Sequence, residues 1–318
     1  MVQQYIRQVS LFVGDKAGNG LDLSELQFKF EIHRGDYQTP NWASIRVYNL
    51  SDATVKALQA TEYTQLQLKA GYAGNFGIIF QGSLKYKFRG HESNVDSYLD
   101  LIAADGDSAY NFAVVNTSLA AGSTNANHLA AIANATTVFG VSAAPEQPPL
   151  STNSLPRGKV MFGMAKDYMK IIADSNNATW SIQDSQLQFI LQTAYLPGAP
   201  IVLRSDTGLI GFPEETLNGL VVRCLLNPSI KIGTVIQIDN ANIQQFHLDV
   251  SLSAPIQQQF LNQMKNEDGL YKVLVAEHAG DTRGNTFYST LICIGVNGSV
   301  PPGSPLFYKN SVSAYSGS

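Results

Sequence analysis

The side chains of this sequence that could do chemistry are scattered. His33, His91, His128, His247 and His278 have no histidine or cysteine at metal-ligand spacing, so no metal site is expected. Cys224 and Cys293 each lie in an apolar, strand-like run, where a thiol acts as a small buried hydrophobe, and both are expected to stay reduced. There is no Gly-x-Ser-x-Gly elbow, phosphate-cradling glycine loop or dinucleotide fingerprint, and no cofactor is expected. Glu214-Glu215, behind Pro213, could be drawn as the carboxylate pair of a glycoside hydrolase. Adjacent residues of an extended segment point opposite ways, however, so the pair reads as a solvated loop and catalysis is not expected.

Other groupings are more structural in character. Lys85, Lys87 and Arg89 interleave with Tyr86 and Phe88, but strand alternation puts cations on one face and rings on the other. The cations then form a wet face and the rings face a core. Arg34-Gly35-Asp36 spells an adhesion tripeptide and reads as a glycine turn. Asp281-Thr282-Arg283 falls in a turn-forming segment, where carboxylate and guanidinium can pair locally or meet a partner across a subunit contact. Trp180 and the Met/Tyr stripe at Met164 and Tyr168 read as core packing rather than a ligand pocket.

These groups need elements to hold them. A length of 318 residues suits two or three domains. The apolar fraction of 44% is ordinary, whereas the charged fraction of 14% is low, which favours burying surface at subunit contacts. A net charge of −4 argues against gripping nucleic acid, which needs clustered Lys and Arg. No run nears the length that spans a bilayer, and Met1–Gly14 lacks the form of a signal peptide, so a soluble chain made in a cytoplasm is expected, without membrane insertion.

Residues 1–105 read as β-structure with period-two alternation, as in Gln65-Leu66-Gln67-Leu68-Lys69-Ala70, interrupted by a helix at 52–59 that Ser51 caps and Leu50 staples to Val55. Residues 106–193 change to an α+β insert, with helices near 125–136 and 164–175 and a hairpin turning at Asp184-Ser185. Residues 194–296 return to β. Leu220–Leu226 and Thr234–Ile238, split by Asn227-Pro228 and Gly233, read as a strand-turn-strand hairpin, followed by a helix at 254–265 and strands at 271–277 and 287–294. Residues 297–318 read as a flexible arm around Leu306-Phe307-Tyr308. Ile45–Leu50 stands in the first β-section where Val222–Asn227 stands in the last, which suggests an internal duplication.

In order along the chain, Pro40–Ser51, Gly208–Ile238 with its Leu225-Leu226-Asn227-Pro228 core, and Tyr271–Gly284 with His278-Ala-Gly-Asp-Thr-Arg-Gly resemble the central hub proteins of bacteriophage tail baseplates, related to the hub part of secretion-system spike proteins. The resemblance implies a mainly β fold, two tail-tube-like β-barrels flanking the α+β insert. It further implies a homotrimer whose ring of six similar domains joins a hexameric tail tube protein to a trimeric central spike, amid other baseplate proteins, in the virion tail. DNA would pass through the lumen without specific binding. No fused spike or lysozyme section is recognised, so a tip would be a separate chain. Asp281, Arg283, Leu306, Phe307 and Tyr308 become candidate subunit or partner contacts. The competing readings are a tail-borne cell-wall glycan hydrolase and a peripheral receptor- or glycan-binding β-module.

Overall fold

The structure, a computed structural model, describes residues 6–15, 18–35, 38–59, 64–145, 147–148, 150–192, 194–216, 219–239 and 269–296. The expected helix at 254–265 and the arm with Leu306, Phe307 and Tyr308 lie outside the described residues. The fold is mainly β. Its first part holds β1 (Arg7–Gly14), β2 (Gly20–Asp22), β3 (Phe28–Gly35), β4 (Trp42–Tyr48), α1 (Asp52–Gln59), β5 (Gln65–Tyr72), β6 (Asn75–His91) and β7 (Ser97–Ala104). The middle holds α2 (Asp107–Phe112), β8 (Val114–Leu119), α3 (Asn125–Thr137), β9 (Ser142–Ala143), β10 (Lys159–Met164), α4 (Ala165–Ser175), β11 (Ala178–Gln183) and β12 (Gln186–Leu191). The last part holds β13 (Ile201–Val202), β14 (Glu214–Thr216), β15 (Gly219–Leu225), β16 (Val235–Gln237), β17 (Leu270–Asp281) and β18 (Phe287–Gly295).

Alternation builds the first part. Leu66, Leu68 and Ala70 on β5, Ala43, Ile45 and Val47 on β4, and Leu99, Leu101 and Ala103 on β7 all point into one core. Their strands pair antiparallel in the order β3-β4-β7-β6-β5-β1. Ser51 caps α1, its Oγ accepting the Thr54 N–H at 3.1 Å, and Leu50 and Val55 enter the same core.

The last part repeats that pairing order as β14-β15-β18-β17-β16, again antiparallel throughout. Register makes the match residue by residue. Arg46 on β4 and Arg223 on β15 occupy equivalent positions, and each guanidinium lies over the ring of the equivalent tyrosine, Tyr98 at 3.8 Å and Tyr288 at 3.6 Å. The strand that follows carries the same irregularity. A bulge lies between Leu84 and Tyr86 on β6 and between Val273 and Val275 on β17. The sequence match of Ile45–Leu50 with Val222–Asn227 falls in this register. The strand-turn-strand reading of 220–238 does not hold as a hairpin, because β15 pairs with β14 and β18 while β16 pairs with β17 and β13.

One large antiparallel sheet path runs through both parts because β17 also pairs with β3, from Val275↔Gly35 to Asp281↔Lys29. Here the Phe30 ring lies against Gly280. A Cβ on Gly280 would fall 2.2 Å from the Phe30 ring, so a larger residue would force the strands apart. Phe287 of β18 crosses into the first core, edge-on to Phe30 and Tyr72.

Between them, α3 and α4 pack with Trp180 and Phe189 of the β11–β12 hairpin into a separate core. Two features of this middle part go beyond its sequence reading. β8 and β10 pair although the intervening chain holds a helix and the Pro-rich segment, and α4 turns Met169 and Ile172 inward while Ile171 is half exposed.

Candidate assembly surfaces and a buried charge junction

Three cores meet at a set of buried charges. Arg34 is the penultimate residue of β3 and is 2% exposed, so it lies in a strand and not in the expected glycine turn. Its Nη2 donates to Asp184 Oδ1 at 2.6 Å and to the Ile79 carbonyl. Asp184 sits in the tight turn between β11 and β12, with a left-handed backbone, and Lys231 Nζ lies 2.7 Å from its other oxygen. Burial opposes ionisation of Asp184, but the charges of Arg34 and Lys231 outweigh it and hold the carboxyl below its usual range. Asp105, just past β7, accepts the Ser185 N–H at 2.9 Å and is pushed up to about 8 by burial and by the Asp184 charge.

A carboxylate pair with one raised pKa is the pattern of an acid/base site. Here Asp105 is buried and Asp184 is 11% exposed, and their oxygens are turned to a main-chain N–H, a guanidinium and the ammonium of a half-exposed lysine. What they do chemically is join. Asn41 adds to the joint, its side chain donating to the Ile182 carbonyl at 2.7 Å and accepting the Gly35 N–H at 3.1 Å. Gln183 reaches Ile232 from the other side, accepting its N–H at 3.0 Å. Sequence reasoning missed this set because its members lie far apart and no periodicity links them.

His278 is likewise internal. β17 continues through Asp281, so the connection to β18 is shorter than expected, and His278 is 1% exposed with its Nδ1 2.7 Å from Ser289 Oγ. Burial lowers its pKa to about 3. Burial also pushes Cys224 up to about 12, and both cysteines are free and buried.

Asp281 Oδ1 accepts the N–H groups of Arg283 and Gly284, each at 2.9 Å, so its carboxylate serves the turn backbone. Arg283 is exposed at the tip. The tip is docked on the first part of the chain, for Phe28 and Thr282 exchange hydrogen bonds and Arg7 donates to the carbonyls of Gly284 and Asn285.

Two other expectations are corrected at the surface. Glu214 and Glu215 form part of a short strand, with Glu214 exposed and Glu215 only 2% exposed, where a solvated loop was expected. Tyr86 and Phe88 face solvent, each 54% exposed, because β5 covers only the first half of β6 and the second half projects past it. Their rings stack on each other 5.8 Å apart. A groove of about 280 Å³ on the same sheet is lined by Lys29, Glu31, Arg46 and Asp100, where Arg46 grips Asp100 with two hydrogen bonds. Among the described residues, no group of three potential metal ligands comes together and no helix is long and apolar enough to cross a membrane.

Neither a protein-family model nor a curated protein matches the sequence. Solved structures do match over nearly the whole chain. The 43 kDa tail protein of prophage MuSo2 from Shewanella oneidensis aligns with a TM-score of 0.56 at 8% identity, covering 93% of this chain and all of its own. A tail protein from Neisseria meningitidis MC58 aligns with a TM-score of 0.58 at 10% identity, covering 95% and 100%. A chain of the Francisella PdpA–VgrG complex aligns with a TM-score of 0.51 at 8% identity, covering 96% of this chain and 60% of that one. The fold of this protein is therefore the fold of phage tail proteins, shared with a chain of a VgrG-containing complex.

Proposed function

We propose that this chain is a structural protein of a phage tail baseplate, a hub in which three copies form a ring. The repeated pairing order carries this reading, because a chain holding two equivalent β-units gives six such units in a trimer. Residues 1–105 and 194–296 are taken as the two barrel domains, with 106–193 as the α+β domain between them and 297–318 as an arm. A ring of this kind matches a hexameric tail tube on one face and a trimeric spike on the other. Arg283 at its exposed hairpin tip, and Leu306, Phe307 and Tyr308 in the arm, are offered to those neighbours. A lumen without clustered cations lets DNA slide, since nothing neutralises its phosphates. The role asks for geometry and no catalytic group.

The test is native mass spectrometry of the full chain together with electron microscopy of assembled tails. Trimers and a six-unit ring at the tube end are expected. A monomer at the tail periphery overturns the proposal.

A further inference from the structure

The repeat has one asymmetry, and it identifies a joint. In the last part of the chain, the outer half of β17 is flanked by β18 and, on its far side, by β3. The outer half of β6 is its equivalent, and in the sheet order among the described residues it has β7 alongside but no strand in the place of β3. The equivalent of β3 is β14, since each lies beside the matching strand, β4 or β15. β14 stands at the end of the sheet order.

We infer that the outer half of β6 in one copy of this chain pairs antiparallel with β14 of a second copy, repeating between copies the β17–β3 joint made within each. The inference rests on the ring proposed above and names its contact. The partner is thus the chain itself, joined head to tail, a contact that forms a ring where its rotation closes after three copies.

Register follows from the internal joint. The hairpin bonds Glu92 N–H to Asp96 O and Asp281 N–H to Thr286 O make Glu92 the equivalent of Asp281, and the β14–β15 register makes Glu214 the equivalent of Glu31. The internal pairs Ala279↔Glu31, His278↔Ile32 and Glu277↔His33 then become Gly90↔Glu214, Arg89↔Glu215 and Phe88↔Thr216 between copies. Charge is compatible with this register, because it sets Arg89, whose guanidinium holds the exposed Asp52 of its own chain, opposite the buried Glu215 of the next. Exposed apolar surface agrees as well. Tyr86 and Phe88 flank one edge, and Ile210 and Phe212, 37% and 63% exposed, lie beside the other.

Cysteine cross-linking of the full chain tests the pairing, since directly opposed residues of an antiparallel pair come within disulfide reach. Phe88→Cys with Thr216→Cys is expected to give covalent multimers on oxidation that vanish on reduction. Either single variant, or Phe88→Cys with Ser229→Cys, should stay uncrosslinked, the native thiols being buried. Oligomers seen by native mass spectrometry but not trapped by the opposed pair overturn the joint and leave the ring standing. A chain that is monomeric both alone and in assembled tails overturns both. Should the double variant misfold, Arg89→Glu decides. It gives up the solvent-exposed pair with Asp52, which should move the thermal melting only slightly, and should weaken assembly about tenfold or more, and unchanged assembly rejects the joint.

Discussion

The two β-units of this chain share a pairing order, a bulge and an arginine stacked on a tyrosine, yet they treat the outer half of their long strand differently. On β17 that half is clamped by β3, with Gly280 tight against Phe30. On β6 the same half projects past β5 and holds Tyr86 and Phe88 in solvent. One sequence arrangement thus gives a finished joint and an open one. Within one chain β3 lies beside β17, while β14 ends the sheet order and the outer half of β6 has β7 alongside.

The comparison can be broken first at the charge junction under the closed joint. Arg34→Ala leaves Asp184 buried with Lys231 as its remaining cation, and should cost about 3 kcal/mol, read as a lowered denaturant midpoint. Unchanged stability would mean that Arg34 does not tie the cores together. Next, Gly280→Leu drives a side chain into the Phe30 ring and should cost about 2 kcal/mol, while the equivalent His91→Leu on the open edge should cost nothing measurable. Equal costs would remove the distinction between the edges.

Two smaller effects sharpen it. Arg46→Ala loses both a ring contact and a partly exposed pair with Asp100, whereas Arg223→Ala loses the ring contact, so about 1 and about 0.5 kcal/mol are expected. The reverse order in thermal melts would contradict the residue-level match. The Asp105 effect is a slope. Its carboxyl keeps its proton in the fold up to about pH 8, while the unfolded chain releases it near pH 4, so the group's contribution is complete in acid and lost as pH rises. Asp105→Asn keeps an acceptor for Ser185 and removes the titration. Relative to the parent, the variant should gain stability steadily between about pH 4 and pH 8 and level off above. A pH-independent difference would place Asp105 ionised in the fold.

Local signals read well and distant ones did not. The alternation of β4, β5 and β7, the cap at Ser51 and the turn at Asp184 are written in neighbouring residues, and the likeness of Ile45–Leu50 to Val222–Asn227 proved to be true register. The hairpin expected at 220–238 failed because adjacency in sequence favours pairing that long-range strands here replace. Glu215 and Arg34 were misplaced for a common reason. A charge looks solvated until the structure supplies the wall that buries it, and that wall comes from elsewhere in the chain. The Tyr86 and Phe88 rings kept their alternation but lacked the covering layer that alternation alone cannot promise.

The β17–β3 pairing also bears on how readily such a ring would assemble. Each association between separate chains costs roughly 4–15 kcal/mol in lost translational and rotational freedom. A six-unit ring of single-unit proteins meets that cost at every joint, and a partial ring is a loose intermediate. With alternate joints already closed within the chain, half of the encounters become internal steps at high effective concentration. Three molecules then suffice for closure, and each arrives with one side of its seam already sealed.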